Sequence, residues 1–230
     1  MSTELKIISS MATRQLLADL AATWRPLHPQ IHLTIESVGG VDAAKRVQAG
    51  EAVDVVVLAS NAIDKLVEAG RVAAGSRTDL VKSGVAVAVR EGAPQVEIGS
   101  EEAVRRAVAA ARSISYSTGP SGVHLAQLFE QWGIADEIRS RIIQAPPGVP
   151  VGSLVAKGEV ELGFQQLSEL MHLEGITVLG PLPPAIQVTT VFSAGLATAS
   201  AHAHAVRTLL AFLGSPETAG IKRKNGMDPA

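Results

Sequence analysis

Four short stretches of this chain place hydroxyls and glycines directly before helix-periodic residues. They are Ser9-Ser10-Met11-Ala12-Thr13, Ser37-Val38-Gly39-Gly40-Val41-Asp42, Ala59-Ser60-Asn61 and Thr118-Gly119-Pro120-Ser121-Gly122. The unpaired N–H groups and positive dipole end of a helix start attract anions. Taken singly, each stretch is also an ordinary N-cap, because Ser, Thr, Asn and Gly are preferred there. Four such turns on one strand-end edge would form a cradle of neutral donors from Ser9, Ser10, Gly39, Gly40, Ser60, Asn61, Ser121 and Gly122. Gln165 and Gln166 follow the apolar run 160–164, where an amide is costly to bury without a partner. A ligand would satisfy them, and so would neighbouring loops; the expectation favours Gln166 as a ligand donor.

Other chemistries find less support. His28, His32, His172, His202 and His204 are scattered, and no metal-ligand spacing emerges. His124 lies two residues beyond Gly122, within reach of a ligand or equally on a helix surface. Gly119-Pro120-Ser121-Gly122 is followed by no Gly-Lys-Ser/Thr, so it is not a P-loop. No Gly-x-Ser-x-Gly nucleophile elbow is present. The chain has no cysteine, which excludes disulfides, thiolate metal sites and a Cys nucleophile. No cofactor and no metal is expected.

The elements that must position these turns follow from periodicity. Strand-like runs at 5–8, 31–36 and 53–58 alternate with helical runs at 13–24, 41–49 and 62–68, a βαβαβα rhythm that implies parallel strands. Beyond Ser83, strands are predicted at 84–90, 114–116, 160–164, 176–179 and 188–192, and helices at 101–111, 121–132, 151–156 and 201–213, with a short helical stretch at 167–171. The 230 residues are 47% hydrophobic but only 3% aromatic, an aliphatic composition suited to sheets covered by helices on both faces. Connectors near 81–84 and 183–190 predict two lobes: 1–82 with 190–230, and an inserted 83–189. A two-lobed α/β protein takes its ligand at the carboxyl ends of its strands. The net charge of −2 and the few aromatics argue against nucleic acid as a partner. No apolar run has membrane-spanning length, so no membrane insertion is expected. No secretory signal is visible, so the expected location is the cytoplasm, or the periplasm if a signal has been trimmed. The Lys222-Arg223-Lys224 cluster reads as a solvated end.

At these loops the sequence resembles the molybdate-binding-protein family, within the type II periplasmic binding protein fold. The similarity runs nearly the whole chain. The family's first-loop serine is matched by Ser9 or Ser10, with Met11-Ala12 disturbing the register. Its second loop precedes an Ala-Arg-Gln-Ile-Glu-Ala-Gly-like helix, matched by Gly39-Gly40 before AKRVQAG at 44–50. Its Pro-Ala-Gly helix start is matched by Pro120-Ser121-Gly122, and its Leu-Gly-Ile-Val-Tyr-Gly-Ser-Asp segment by LGFQQLSE at 162–169. The resemblance implies an anion-facing start at Ser121 and Gly122, and a transporter partner if the chain is exported. The family's ligand tyrosine is replaced by Gln166, and its second-loop serines by glycines. These changes remove donors and open space, which implies a larger anion such as a small organic acid. Aconitate isomerase is a relative of the family, so the resemblance also raises an isomerase acting on an unsaturated polycarboxylate. Its base would come from His124, Asp42 or Glu169. An arginine such as Arg14 or Arg77 in the site would favour a carboxylate.

Overall fold

The computed structural model describes residues 2–146 and 148–230; Met1 and Pro147 lie outside the described residues. The chain begins β1 (Thr3–Ser10), α1 (Arg14–Leu27), β2 (Ile31–Val38), α2 (Gly40–Gln48), β3 (Val55–Ala59) and α3 (Ser60–Glu68). There follow β4 (Thr78–Arg90), α4 (Glu101–Ala110), β5 (Ile114–Tyr116), α5 (Pro120–Gln131), α6 (Ala135–Ile138) and α7 (Val151–Ala156). The remainder is β6 (Leu162–Gln166), α8 (Leu167–Leu170), β7 (Ile176–Pro181), β8 (Thr189–Leu196), α9 (Ala203–Gly214), α10 (Ala219–Lys224) and β9 (Asp228–Pro229). It divides into two compact units, one holding Met1–Lys82 with Val191–Ala230 and the other Ser83–Thr190. The chain leaves the first unit and returns to it inside strands, β4 and β8, rather than through flexible loops.

In the first unit β1 lies between β2 and β3 and is parallel to both, while β8 runs antiparallel beside β3 and β9 pairs with Val81 and Lys82. All five residues of β3 are buried, as a strand covered on both faces requires. Val55 and Val57 face Leu16, Leu17, Leu20 and Trp24 of α1 and Leu209 and Leu210 of α9. Val56 and Leu58 face the other way, onto Ala43, Val47, Ile63 and Leu66 of α2 and α3. This alternation is the period-two signature of a strand in a three-layer sandwich.

The second unit is more mixed than its α/β rhythm predicts. β4 is antiparallel to both β6 and β7, while β5 and β6 are parallel. Val85, Val87, Phe164, Val104 and Phe129 form a core on one face. The other face carries smaller residues, Ala86 and Ala88 against Leu170, with Val151, Leu154 and Val155 of α7 alongside. Gly163 has no room for a side chain: a Cβ there would lie 2.6 Å from Val155 and 3.0 Å from Val151, so glycine lets α7 settle on β6.

The C-terminal cations do not all form a solvated end. Lys224 lies 3.6 Å from Asp19, but Lys222 is only 2% exposed and has no ion-pair partner among the described residues. Burial pushes its ammonium below the usual lysine range. A lysine whose folded-state pKa is lowered destabilises the fold wherever the unfolded chain is protonated. That penalty is full at neutral pH and fades as pH rises towards the unfolded value, about 10.4. Lys222→Met should therefore raise the melting temperature by about 2–4 °C at neutral pH, the change that ~1 kcal/mol produces in a chain of this length. Thermal melts from pH 7 to 10 should show the gain shrinking; a lower melting point for the variant at pH 7 would contradict it.

Candidate functional site

Because β1, β2 and β3 are parallel, the three helices that follow them begin at one edge of the first unit. Ser9 pairs with Ser37 and Ser10 with Val38 in the β1–β2 register, so the first two turns are neighbours. The Ser9 and Ser37 hydroxyls are 2.8 Å apart and bond to each other. Ser10 occupies the cap position before the 3₁₀ turn Met11–Thr13, yet its hydroxyl makes no cap bond. Ser10 is 6% exposed, and its Oγ is buried with no partner among the described residues. Ser100, by contrast, caps α4 normally, accepting from Ala103 N–H at 3.2 Å.

The second turn lies directly alongside. Ala43 N–H bonds back to Gly39 O (2.9 Å), so the N–H groups of Gly40, Val41 and Asp42 come before the first helical bond of α2. A Cβ on Gly40 would sit 3.5 Å from Ser10 Cβ, an ordinary contact, and no positive φ demands glycine at residue 39 or 40. Neither backbone conformation nor packing accounts for Gly40, although glycine at a helix position is less favourable than alanine by about 1 kcal/mol. The vacant space lies at the start of α2 beside the partnerless Ser10 hydroxyl. Asp42 Oδ2 would be 3.3 Å from a Cβ on Gly39. Ser60 opens α3 half-buried, and Asn61 is exposed.

The second unit repeats the arrangement. Tyr116 pairs with Phe164 across parallel β5 and β6, so the turn before α5 and the end of β6 share an edge. Ser121 is 3% exposed, and its Oγ lies 3.0 Å from Ser117 Oγ. Gly122 N–H and Val123 N–H both bond Gly119 O, and Pro120 has no N–H. Of the pair Ser121–Gly122, only the Ser121 N–H therefore precedes the first helical bond. Gly122 has a steric task instead: a Cβ there would lie 1.6 Å from Ser117 O.

The two glutamines belong to β6 itself, two residues further into the strand than the run 160–164 indicated. They point to opposite faces, and both are engaged within the unit. With its amide oriented to satisfy both ends, Gln166 Nε2 donates to Ser83 O (3.1 Å), Gly84 O (3.2 Å) and Ser83 Oγ (2.8 Å), and its Oε1 accepts from Thr190 Oγ1 (3.1 Å). Gln165 Nε2 donates to Glu169 Oε1 (2.8 Å), and its Oε1 accepts from Gly152 N–H at the start of α7 (3.3 Å). Burial pushes the Glu169 carboxyl up to about 7, against the modest opposing effect of the Gln165 bond. Sequence reading passed over Gly152 as a functional partner. Its signal was available, since Pro150-Val151-Gly152 repeats the pattern of Pro120-Ser121-Gly122 before a helical run.

The remaining candidates separate. His124 is half-buried, with Nε2 3.2 Å from Ile186 O. Arg77 is held by Asp64 and Asp79, and Arg14 is exposed on the first turn of α1. Among the described residues no cluster of three or more His, Asp or Glu is placed to hold a metal ion, and no helix is long and apolar enough to cross a membrane.

Residues 5–228 match the family model for the bacterial extracellular solute-binding protein. Aconitate isomerase of Pseudomonas sp. is 39% identical over 184 residues, covering 80% of this chain and 70% of that protein. Two solved structures share the fold. The periplasmic molybdate-binding protein of Azotobacter vinelandii aligns with a TM-score of 0.80 at 20% identity, over 97% of this chain and 98% of its own. The sulfate-binding protein of Mycobacterium tuberculosis H37Rv aligns with a TM-score of 0.81 at 13% identity, over 99% and 87%. The chain belongs to the bacterial extracellular solute-binding protein family.

Proposed function

We propose that this protein binds a small organic polycarboxylate through neutral donors at its helix starts. The observation that carries the reading is Ser10: a buried hydroxyl with no partner among the described residues, beside a glycine whose missing side chain leaves space at the start of a nine-residue helix. A carboxylate oxygen would accept from Ser10 Oγ and from the first N–H groups of α2, which the helix leaves unused. Charge-assisted bonds of this kind are about twice as strong as neutral ones. The relatives that bind molybdate and sulfate support an anion, and the open glycines favour a broader one.

A thermal-shift screen against tricarboxylates, dicarboxylates, sulfate and molybdate tests this. At a hundredfold excess over Kd, a ligand selective for the folded state adds about 2.7 kcal/mol of stability. The expected result is a rise in melting temperature with a polycarboxylate that Ser10→Ala diminishes. A flat response across the panel would sink the proposal.

The identity to aconitate isomerase favours a second reading, in which the bound acid is also rearranged. Moving its double bond requires a base to take a proton from one carbon, leaving electrons spread into the carboxylates, and to return a proton to the other end of the allylic system. Glu169 is one candidate beside His124 and Asp42: burial pushes its carboxyl up to about 7, and a base poised near the working pH is most effective. Deuterium incorporation into cis- or trans-aconitate distinguishes this from binding alone. The cytoplasmic location expected from the sequence suits the enzyme; an exported chain would hand its ligand to a transporter.

A further inference from the structure

A cavity of about 330 Å³ lies within the first unit, between the turn at 73–76 and one face of α9. Leu196 of β8 lines it, and Leu196 pairs with Val55, the first residue of β3. Ser10 and the starts of α2 and α3 lie at the other, carboxyl end of the parallel strands. The cavity is therefore separate from the site built on Ser10. Its walls are tied in place by the fold itself. Ala73 N–H bonds Leu196 O (2.8 Å), and Ser76 N–H bonds Ala73 O (3.1 Å), closing a turn whose third residue, Gly75, has φ 74°. Such a φ favours glycine. Ser76 Oγ donates to Ala73 O (2.7 Å) and accepts from Leu196 N–H (3.0 Å), which pins the turn to the end of β8.

On the facing helix, Arg207, Leu210 and Ala211 share one side, as spacings of three and four residues require. Leu196 and Leu210 are buried and supply an apolar floor. The charge of the lining is one-sided. No acidic residue lines the cavity, and α9 contains none. Arg207 is exposed and makes no ion pair or hydrogen bond among the described residues. Arg77, which directly follows the turn, differs in being paired with Asp64 and Asp79. The N–H groups of Ala74 and Gly75 also bond nothing among the described residues, and the space beside Gly75 is open.

We propose that this cavity binds a small aliphatic monocarboxylate. The planar fork of Arg207 matches two carboxylate oxygens, and the free N–H groups of the turn offer further donors. The hydrocarbon tail would cover Leu196 and Leu210. One guanidinium and one apolar floor suit one charge and one tail, unlike the polycarboxylate proposed for Ser10. The volume is at the small end for ligand pockets, about 300–1,000 Å³, which calls for a short chain.

Titration of the isotope-labelled full chain with hexanoate, followed by amide chemical shifts, tests the site. The amides of Ala74, Gly75, Ser76 and Ala211 should move saturably, and Ser10→Ala should leave those shifts unchanged. Arg207→Gln should weaken binding by about tenfold or more, the loss expected from removing a charge-assisted pair. Ala211→Phe, at an exposed helix position, should fill the cavity and abolish the shifts while the spectrum stays that of a folded protein. Sulfate has charge but no tail, and should bind here at least tenfold more weakly than hexanoate. Shifts confined to other residues, full affinity in Arg207→Gln, or sulfate binding as tightly as hexanoate would each overturn the proposal.

Discussion

Gly122→Ala should destabilise the protein by about 3 kcal/mol, near the top of the range for overpacking, and lower its melting temperature by roughly 6–12 °C. The added Cβ would lie 1.6 Å from Ser117 O and 2.7 Å from its carbon, with the Tyr116 ring at 3.1 Å. The obstruction is backbone, so no rotamer change can relieve it. Either residues 117–119 shift by well over 1 Å or the first turn of α5 unwinds. Both routes break the Ser117–Ser121 hydroxyl bond and move the Ser121 N–H. Gly119→Ala in the same loop is the control, because its nearest neighbour would be Ser117 Oγ at 3.7 Å and its φ of −79° suits any residue. The pair should differ by several degrees in a thermal melt. A Gly122→Ala protein melting within 2 °C of the Gly119→Ala protein would mean that the Ser117 carbonyl is not where the structure puts it. If the proposed anion is also held at this helix start, its response should follow the same order.

Gly122 also illustrates how much could be read from the chain. The sequence Pro120-Ser121-Gly122 marks a helix start, and α5 begins at Pro120. The purpose of the glycine was not legible, because it depends on a carbonyl five residues earlier folding back over the helix. The strands and helices of the first unit were legible for a simpler reason. In β1 to β3 the pattern is local: aliphatic runs, a period of two, and polar turns between them. The end of β6 was harder. Two adjacent glutamines look like the end of a strand, because a buried amide needs partners and most of theirs are remote in sequence. Their partners are Ser83, Gly84, Thr190, Gly152 and Glu169, mostly remote in the chain, and with those bonds made the strand runs on through both amides. The same limit applies to Lys222, which charge alone assigns to solvent and tertiary packing buries.

Gln166→Leu should destabilise the protein by about 3 kcal/mol, through polar groups stranded without partners rather than through lost packing. Leucine fills much of the space but offers nothing to the two carbonyls and two hydroxyls that the amide now serves. Each buried group left unpaired costs about 1–3 kcal/mol, less where a water enters, so the total depends on how far Ser83 and Thr190 can find other partners. These residues belong to β4 and β8, the strands by which the chain enters and leaves the second unit. Gln187 secures the same strand, with Oε1 accepting from Val85 N–H (2.8 Å) and Nε2 donating to Val85 O (3.0 Å). Gln166→Glu separates donation from shape. Its carboxylate would oppose the carbonyls of Ser83 and Gly84, so its folded-state pKa must be raised. Stability then falls as pH climbs above the unfolded value of about 4.3, and is recovered in acid, where a carboxylic acid O–H replaces one of the lost donors. Urea titrations at pH 5 and pH 8 measure this directly. If Gln166 instead held a ligand with a free amide, both variants would keep wild-type stability at both pH values and lose only affinity. That result would remove the amide from the strand network assigned to it here.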